Sequence, residues 1–453
     1  MTPSYHKLTL HNSFTRKKEV FKPLEAGHVR VYYCGPTVYD AVHIGNLRAM
    51  LSADILVRLL RRLYPHVTYV RNITDVDDKI TARAAENGES IAELTARTAA
   101  MFHADVAELD IVPPDIEPRA TQHISEMLEM IATLIASNHA YIAEGHVLFS
   151  VADFTSYGAL SGRAPEELLA GARVEVAPYK RHPGDFVLWK PSAADQPGWD
   201  SPYGFGRPGW HIECSAMSRR YLGESFDIHG GGDDLLFPHH ENERAQSLCC
   251  APESRFANYW LHNAMLLSNG EKMSKSLGNF YTVRDVLAKA PAEALRLLML
   301  STHYRAVLDF SWERLAEAKN TLDRFYRALE AHQGVALPEA VVAPAVMEAL
   351  CDDLNTAQAL ALMHHDATRA LGGDREAAAS LKAAGALLGL LNSNPDQWFG
   401  RQDADPDVTR LVAERSTAKA ARDFARADAI RDQLHEMGIV LEDSAQGTVW
   451  RRV

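Results

Sequence analysis

The sequence predicts an α/β fold with a parallel sheet, an insertion that interrupts it and a mainly helical second half. First, VRVYYCGPTV is typical of a buried strand, NLRAMLSADILVRLLRRL of an amphipathic helix and HVTYVRNIT of a second strand, which together indicate a parallel βαβ unit. Second, a turn-rich segment separates this unit from a further strand and helix pattern that begins after residue 205. Third, the chain after about residue 285 is alanine-rich with helical periodicity.

The composition is typical of a soluble globular protein with several domains. The chain has 453 residues, 47% of them hydrophobic and 23% charged, which fits two to four domains of about 100–200 residues each. The N-terminus lacks the apolar core of a signal peptide, and no run of about 18 uncharged apolar residues follows, so we expect a cytoplasmic protein without a membrane partner. Five cysteines give no disulfide framework, which leaves reduced thiols for a metal.

The first strand and helix meet at the motif HIGN, where His43, Gly45 and Asn46 stand at a predicted helix N-terminus. Free backbone N–H groups and the helix dipole at such a position favour an anion such as a phosphate, and Gly45 allows it to approach closely. By itself the short motif also fits an ordinary helix start. Cys34 precedes His43 by nine residues, at the strand end where parallel sheets bind ligands.

Residues from about 115 to 205 predict an insertion, with short strands in HVLFSVADF and DFVLWK among turns such as HPGD and QPGWDSPYG. The earlier pattern then resumes. GWHIECSAMSRRYLG predicts a turn into a helix, SFDIH a strand, and GGGDD a loop before LLFPHHENERAQSLCC. We therefore expect two halves of one sheet on either side of the insertion.

Four scattered residues are candidates for a metal site. Cys34 and Cys214 offer thiolates, while His239 and Glu243 stand at i, i+4, on one face of a predicted helix. His240 is left out because its own i+4 position is not acidic. Zinc accepts this set of sulfur, nitrogen and oxygen ligands. Because no CxxC pair is present, the spacing alone also fits buried cysteines that only pack as small apolar residues.

The segment SNGEKMSKSLGN, residues 268–279, predicts a tight hairpin turn at Asn269-Gly270 followed by a polar loop with Lys272 and Lys275. Such a loop can move, and its two lysines can close on a departing pyrophosphate. A solvated polar loop is the alternative interpretation. The intact KMSKS string downstream of an HIGH-like motif favours the catalytic one.

The C-terminal region combines a basic stripe with a net acidic chain. The formal net charge of −12 argues against non-specific coating of nucleic acid, which phosphate neutralisation drives. Four residues nevertheless follow i, i+4, i+7, i+11 beside an apolar helix face, namely Arg415, Lys419, Arg422 and Arg426. The ending QGTVWRRV adds Trp450 and Arg451, residue types that stack on and pair with unstacked RNA. A solvated amphipathic helix is the alternative.

Together these motifs resemble bacterial cysteinyl-tRNA synthetases, a family of class I aminoacyl-tRNA synthetases, over essentially the whole chain. CGPTVYDAVHIGN, RNITDVDDK, LSGR, GRPGWHIECSAMS, FDIHGGGDDLLFPHHENERAQS, GEKMSKSLGN, DDLNTAQAL and GTVWRR occur in the order expected of that family. The chain departs from the class signature HIGH at Asn46, and it has Asp233 where a small polar residue is more usual.

The resemblance implies an α/β fold with a class I synthetase Rossmann-type catalytic domain and a connective-peptide insertion, followed by a helical bundle and a small C-terminal anticodon-recognition domain. The expected domains are the first catalytic half (1–115), the insertion (116–205), the second catalytic half (206–265), a stem-contact region with the KMSKS loop (266–318), the bundle (319–400) and the anticodon-recognition domain (405–453).

The resemblance further implies ATP-dependent ligation of L-cysteine to tRNA(Cys) through a cysteinyl-adenylate, by a monomer with one zinc ion per chain and with ATP bound together with Mg²⁺. The catalytic residues are expected to be His43, Asn46, Lys272 and Lys275. The expected ATP-binding residues are His43, Gly45, Asn46, Gly230, Gly231 and Lys275, and the cysteine-binding residues are Thr74, Trp210, His229 and Asp234. The expected zinc ligands are Cys34, Cys214, His239 and Glu243, and the tRNA-binding residues are Arg415, Lys419, Arg422, Arg426, Trp450 and Arg451.

Two other functions remain open at this point. A ligase of the mycothiol pathway resembles the catalytic half, zinc site included, but joins cysteine to a glucosaminyl-inositol and is expected to lack the C-terminal module. A non-catalytic RNA-binding paralogue is expected to have degraded HIGH or KMSKS motifs, and both motifs are present here.

Overall fold

The structure, a computed structural model, describes residues 7–162, 177–194, 196–401, 406–444 and 447–452. Some predicted features fall partly outside these residues, among them Arg163 of the LSGR motif and the boundary between the predicted bundle (319–400) and the anticodon-recognition domain (405–453). The chain divides into two compact units, a larger one of Met1–Lys319 and Ala343–Leu362 and a smaller one of Asn320–Val342 and Met363–Val453.

The predicted βαβ unit opens the larger unit. In chain order its elements are β1 (Thr9–Asn12), β2 (Lys17–Val20), β3 (His28–Tyr33), α1 (Ile44–Leu63), β4 (His66–Arg71), α2 (Asp78–Asn87) and α3 (Ile91–Glu108). Strands β3 and β4 pair in parallel across six residues each, and α1 connects them, so the βαβ prediction is confirmed. Strands β1 and β2 form an antiparallel hairpin.

An antiparallel sheet follows, as the turn-rich pattern predicts. Its elements are α4 (Ile124–Ala136), β5 (Ala140–Ala143), β6 (His146–Phe149), β7 (Phe186–Pro191) and β8 (Gly206–Pro208). The strands lie in the order β5-β6-β7-β8. Both predicted strands of the insertion are thereby confirmed.

The parallel sheet then resumes, with α5 (Trp210–Leu222), β9 (Ser225–Gly232), α6 (Glu241–Cys250) and β10 (Phe256–Asn263). Its order is β10-β9-β3-β4, so strands from before and after the insertion share one sheet. The prediction of a loop at GGGDD is wrong for the glycines, because β9 continues through Gly232. A Cβ on Gly230 would lie 2.2 Å from the Tyr33 ring, so glycine is what lets these neighbouring strands approach.

The larger unit ends with β11 (Leu266–Ser268), β12 (Glu271–Lys272), α7 (Val283–Leu287), α8 (Ala292–Leu300), β13 (Leu308–Phe310), the first part of α9 (Trp312–Glu330), and α10 (Pro344–Cys351). Strands β11 and β12 form the predicted hairpin, in which Ser268 pairs with Glu271. Asn269 and Gly270 both have positive φ, as a type I′ turn requires. Strand β11 also pairs in parallel with β13.

The smaller unit is mainly helical, as predicted. Beyond the end of α9 it contains most of α11 (Thr356–Leu371), then α12 (Arg375–Leu388), α13 (Pro395–Trp398), α14 (Pro406–Ala420), α15 (Phe424–Glu436), β14 (Ile439–Ser444) and β15 (Gly447–Arg452). The short helix α13 lies at the end of the range predicted for the bundle, residues 319–400. Helices α14 and α15 enclose a small core with the β14–β15 hairpin, built from Val408, Leu411, Ile430, Leu434 and Ile439. Within the described ranges, none of the helices combines the length and apolar character needed to cross a membrane.

Candidate metal centre and nucleotide site

The four predicted metal ligands meet at the carboxyl edge of the parallel sheet. Cys34 directly follows β3, Cys214 lies in α5, and Glu243 lies in the first turn of α6. His239 lies in a kinked turn just before α6, not within the helix as predicted, yet its Nε2 is 3.0 Å from Glu243 Oε1. Cys34 Sγ lies 3.8 Å from Cys214 Sγ and 3.4 Å from Glu243 Oε1. The four side chains are buried, and all four ligand atoms lie within 4.8 Å of one another.

These separations fit a single tetrahedral zinc ion. Bonds of about 2.0–2.3 Å place tetrahedral ligand atoms about 3.3–3.8 Å apart. Two thiols, one imidazole and one carboxylate are also a donor set that zinc accepts. The residues present therefore fit the metal that the sequence motifs imply.

The sequence-based prediction that leaves His240 out of the metal site is only partly correct. Its Nε2 lies 3.4 Å from Cys34 Sγ and 4.0 Å from Glu243 Oε1, because the i, i+3 spacing also reaches this carboxylate. A second set of mutually close donors therefore exists, made of Cys34, His229, His240 and Glu243. The set with Cys214 contains both thiols and suits zinc better.

Further histidines hold the candidate ligands in place. His211 Nδ1 lies 2.9 Å from His239 Nδ1, and His229 Nε2 lies 2.9 Å from the second oxygen of Glu243. His240 Nδ1 in turn lies 2.7 Å from His262 Nε2. Partners of this kind orient ligands and strengthen metal binding. The sequence motifs do not point to His211 or His262 because their roles depend on contacts across the fold.

The electrostatics of the cluster favour a cation. Burial alone would raise the pKa of Glu243, but His229 and His239 hold this pKa well below its usual range. Burial opposes the charged form of His239, yet Glu243 and Cys214 raise its pKa to about 10. The hydrogen bond with Cys34 lowers the pKa of Cys214 to about 6 against the effect of burial. A metal ion can therefore replace a proton among groups that already stabilise one another's charges.

The four predicted cysteine-binding residues divide between two places. The centres of the Trp210 and His239 rings lie 4.1 Å apart, and His229 contacts Glu243, so Trp210 and His229 both adjoin the metal cluster. Thr74 is buried and donates a hydrogen bond of 3.2 Å to Glu213, the residue before Cys214. Asp234 is exposed, and its charge acts on His43. The structure therefore places Asp234 beside the HIGN motif.

The HIGN motif forms the N-terminus of α1. His43 Nδ1 accepts hydrogen bonds from the backbone N–H groups of Gly45 and Asn46, at 3.1 and 3.3 Å, and Asn46 Oδ1 accepts one from the His43 N–H at 3.3 Å. Asn46 thus closes a capping box, a role that its amide oxygen fills in this variant of HIGH. Because Nδ1 accepts, a neutral His43 carries its proton on Nε2 and can donate it to an oxygen. Burial lowers the pKa of His43, only partly opposed by Asp234, which favours that neutral form.

The KMSKS hairpin lies against this helix start. A Cβ on Gly45 would lie 2.9 Å from the His43 ring and 3.0 Å from Met273 Cε, so glycine permits the contact between the two motifs. Lys272 is exposed in β12, and Lys275 begins a short 3-10 turn. Of the other predicted ATP-binding residues, Gly230 and Gly231 lie near the carboxyl end of β9.

Asn279 was not predicted and closes the KMSKS loop. Its Oδ1 accepts a hydrogen bond of 2.8 Å from the Ser274 N–H, and its Nδ2 donates to the Ser268 and Lys272 carbonyls at 3.3 and 3.4 Å. Asn279 is buried although it lies in a polar segment. An asparagine after a glycine at the end of a loop is the signal that points to such a role.

The C-terminal basic stripe is not one helix face, so that prediction is wrong. Helix α14 ends at Ala420, Arg422 has a φ of 61°, and Arg426 belongs to α15, where Asp423 caps the new helix. Of the predicted tRNA-binding residues, Arg415 is buried and pairs with Asp443, which also pairs with Lys419. Arg426 pairs with Glu414, and Arg422 is exposed. Trp450 packs against the small core, and Arg451 lies in β15. Arg415 therefore does not present a free charge to a partner.

Known families match both parts of the chain. A family described as "tRNA synthetases class I (C) catalytic domain" matches residues 20–320, and one described as "Cysteinyl-tRNA ligase anticodon binding domain" matches residues 401–451. The two matches together extend over most of the sequence.

Relatives and solved structures agree with these matches. A protein of Gluconobacter oxydans named cysteine–tRNA ligase is 65% identical to this chain over 450 residues, which cover 99% of both chains. A protein of the same name from Granulibacter bethesdensis is 63% identical to this chain over 447 residues, which cover 98% of this chain and 95% of that protein. A Mycobacterium tuberculosis methionyl-tRNA synthetase in complex with methionyl-adenylate has a TM-score of 0.53 at 17% identity, covering 84% of this chain and 86% of that chain. The Agrobacterium radiobacter K84 LeuRS–tRNA–LeuAMS complex has a TM-score of 0.58 at 12% identity, covering 86% and 87%. These structures establish the fold alone, whereas the relatives and family matches establish that the chain belongs to the cysteinyl-tRNA synthetases, a family of class I aminoacyl-tRNA synthetases.

Proposed function

We propose that this chain joins L-cysteine to tRNA(Cys) in two steps. ATP first converts cysteine to cysteinyl-adenylate with release of pyrophosphate, and the cysteinyl group then passes to the 3′-terminal ribose of the tRNA. The observation that carries this proposal is the buried Cys34, Cys214, His239 and Glu243 cluster at the same sheet edge as the His43 helix cap. A short loop between Cys34 and His43 links the two sites.

Cys34, Cys214, His239 and Glu243 would hold one zinc ion per chain. A bound zinc supplies a site for the cysteine thiolate that the hydroxyl of serine fills poorly. Around this site, His211 orients His239, and His229 orients Glu243. Selection by sulfur coordination makes a separate editing domain unnecessary.

The nucleotide half of the site would act through hydrogen bonds and charge. His43 Nε2 and the Asn46 amide are the donors for ATP phosphate oxygens, and Lys272 and Lys275 stabilise the charge that develops on pyrophosphate, with Mg²⁺ accompanying the nucleotide. Gly45, Gly230 and Gly231 allow close approach. Holding carboxylate and α-phosphate together raises their effective concentration.

The C-terminal domain, residues 405–453, would read the anticodon end of the tRNA. Lys419, Arg422 and Arg426 are side chains of the predicted set that are at least partly exposed. We assign Arg415 to holding β14 through Asp443. Trp450 and Arg451 are also proposed as tRNA-binding residues. The boundaries of the other domains are proposed to be those predicted from the sequence. We also propose that the enzyme is a cytoplasmic monomer.

The test is cysteine-dependent pyrophosphate exchange followed by charging of purified tRNA. Exchange together with charging supports the proposal. Exchange without charging, but with transfer of cysteine to glucosaminyl-inositol, would show the mycothiol-type ligase instead. No exchange with metal-loaded protein would exclude both ligases.

The purified protein is expected to contain about one tightly bound zinc ion per chain, because two thiols, an imidazole and a carboxylate are buried with their donor atoms within 4.8 Å of one another. Elemental analysis measures the content. Removing the metal with a chelator is expected to abolish cysteine activation, and adding zinc back is expected to restore it. Full activity in a metal-free preparation would contradict the assignment.

Truncation after Ala404 is expected to leave pyrophosphate exchange nearly intact and to raise the Michaelis constant for tRNA sharply, because the predicted catalytic residues all precede residue 404. Steady-state charging measures the effect, and exchange in the same truncated protein is the control. A truncated enzyme that charges tRNA as well as the full chain would show that the C-terminal helices are only solvated. Loss of exchange in a folded truncated protein would show that the domain boundary is wrong.

A further inference from the structure

Arg48 is a buried arginine in α1 that binds only backbone carbonyls. It is 2% exposed, and its guanidinium donates to the carbonyls of Met265 at 2.8 Å and His303 at 3.1 Å, and also to that of Ala306. Among the described residues, no carboxylate pairs with it and its Nε has no hydrogen-bond partner. Burial lowers the pKa of Arg48 to about 10, so the group stays charged at neutral pH.

The three carbonyls lie just before β11 and in the loop that leads from α8 to β13, and these two strands support the KMSKS hairpin. Met265 immediately precedes β11, and Ala306 lies two residues before β13, the parallel partner of β11. The hairpin and its lysines continue directly from β11. Arg48 therefore binds the entry of the loop to the helix that His43 caps.

The exit of the loop is fixed to the same helix start. The Ile44 N–H donates to the Tyr281 carbonyl at 3.1 Å, and the Val283 N–H donates to the Val42 carbonyl at 3.0 Å. The loop between Ser268 and Tyr281 is thus held at both ends by the segment from Val42 to Arg48. At the exit the attachment is backbone to backbone, whereas at the entry the Arg48 side chain provides three hydrogen bonds.

We infer that Arg48 is a positioning residue for adenylate formation, which fixes the distance between the His43 cap and the base of the KMSKS hairpin. This inference rests on the proposed activation of cysteine by ATP. A guanidinium suits the task because its fixed fork of N–H donors can serve three carbonyls at once, whereas the single ammonium of lysine lacks this geometry. Displacement of the hairpin base by about 1 Å would misalign Lys272 and Lys275 with the pyrophosphate, at a cost of about 100-fold in rate.

The first experiment compares Arg48→Met with two arginine controls in cysteine-dependent pyrophosphate exchange. Arg62→Met removes an exposed charge from the same helix, and Arg296→Met removes a buried arginine that binds Asp54 of α1, away from the hairpin. For Arg48→Met we expect kcat to fall about 10- to 100-fold. Zinc content and the KM for cysteine should stay within about twofold of wild type, and Arg48→Lys should recover part of the rate.

A double-mutant cycle separates positioning from general stability. If Arg48 acts through the hairpin, the double variant Arg48→Met with Lys272→Ala should have a kcat only slightly below that of the slower single variant. Independent effects would instead multiply the two losses in kcat. The inference is overturned if the losses in kcat of the two single variants multiply in the double variant. It is also overturned if Arg48→Met and Arg296→Met lose kcat equally. If Arg48→Met does not fold, Arg48→Lys takes its place in the cycle.

Hydrogen exchange tests the inference without activity. Amides of residues 265–281 in the zinc-loaded protein should exchange faster in Arg48→Met, and not in Arg296→Met, because the hairpin base is released. Unchanged exchange in Arg48→Met overturns the inference. A wild-type protein without pyrophosphate exchange would instead overturn the proposed function, and hydrogen exchange would still report on Arg48.

Discussion

Cys214→Ser is expected to remove the bound zinc and to lower the rate of cysteine activation by about a thousandfold or more. Serine keeps the size of the side chain, but its hydroxyl does not ionise near neutral pH and is a poor zinc ligand. The remaining Cys34, His239 and Glu243 supply three donors, which leaves the site incomplete. Elemental analysis and stopped-flow adenylate formation at saturating ATP measure the two effects.

Cys249→Ser is the matched control. Cys249 is also a buried cysteine, on α6, but it belongs to neither group of candidate ligands. The same chemical change there should leave zinc content unchanged and the activation rate within about twofold, apart from a modest loss of stability. Equal losses in both variants would show that the effect comes from polar burial and not from a lost ligand.

Lys275→Ala is expected to slow cysteine-dependent pyrophosphate exchange by about 100-fold or more, with little change in cysteine binding. The lysine charge matters most when negative charge develops on the departing pyrophosphate, so its loss raises the barrier more than it weakens the ground state. Stopped-flow adenylate formation at saturating cysteine and ATP isolates this step.

Lys289→Ala is the matched control for loss of a lysine in the same region. Lys289 is exposed beyond α7, where its ammonium lies 4.6 Å from the centre of the Trp312 ring, outside the KMSKS loop. Its removal should leave the exchange rate unchanged. An unchanged rate in Lys275→Ala as well would mean that Lys275 is only a solvated loop residue.

The sequence predicted the parts of the fold that depend on local pattern. The periodicities around α1 and the Asn269-Gly270 turn each depend on a few neighbouring residues, and both predictions are confirmed. The sequence predicts a loop at the glycines after SFDIH because glycine is a weak strand former, but the Tyr33 ring occupies the space that a Cβ on Gly230 would need. That contact joins separate strands and cannot be read from local sequence.

The basic stripe failed because a helix was assumed to continue where it ends. Asp423 accepts a hydrogen bond from the Arg426 N–H and starts a second helix, which breaks the spacing between Lys419 and Arg426. An aspartate before Phe424–Arg426 was a visible capping signal. The metal cluster shows a different limit: Cys34 and Glu243 are 209 positions apart, so the residue types and spacing made them only candidates, and the family resemblance was needed to support the group.

The Asn279 side chain has a further consequence, which concerns entropy. Fixing the backbone of a free residue costs about 1–2 kcal/mol, so a loose ten-residue loop that ordered only on ATP binding would consume much of the binding free energy. Because one amide already ties Ser268, Lys272 and Ser274 together, the hairpin is pre-organised before the nucleotide arrives. In the proposed closure on pyrophosphate, the hairpin would rotate as a nearly rigid body about its two ends, which would leave most of the interaction free energy to lower the barrier.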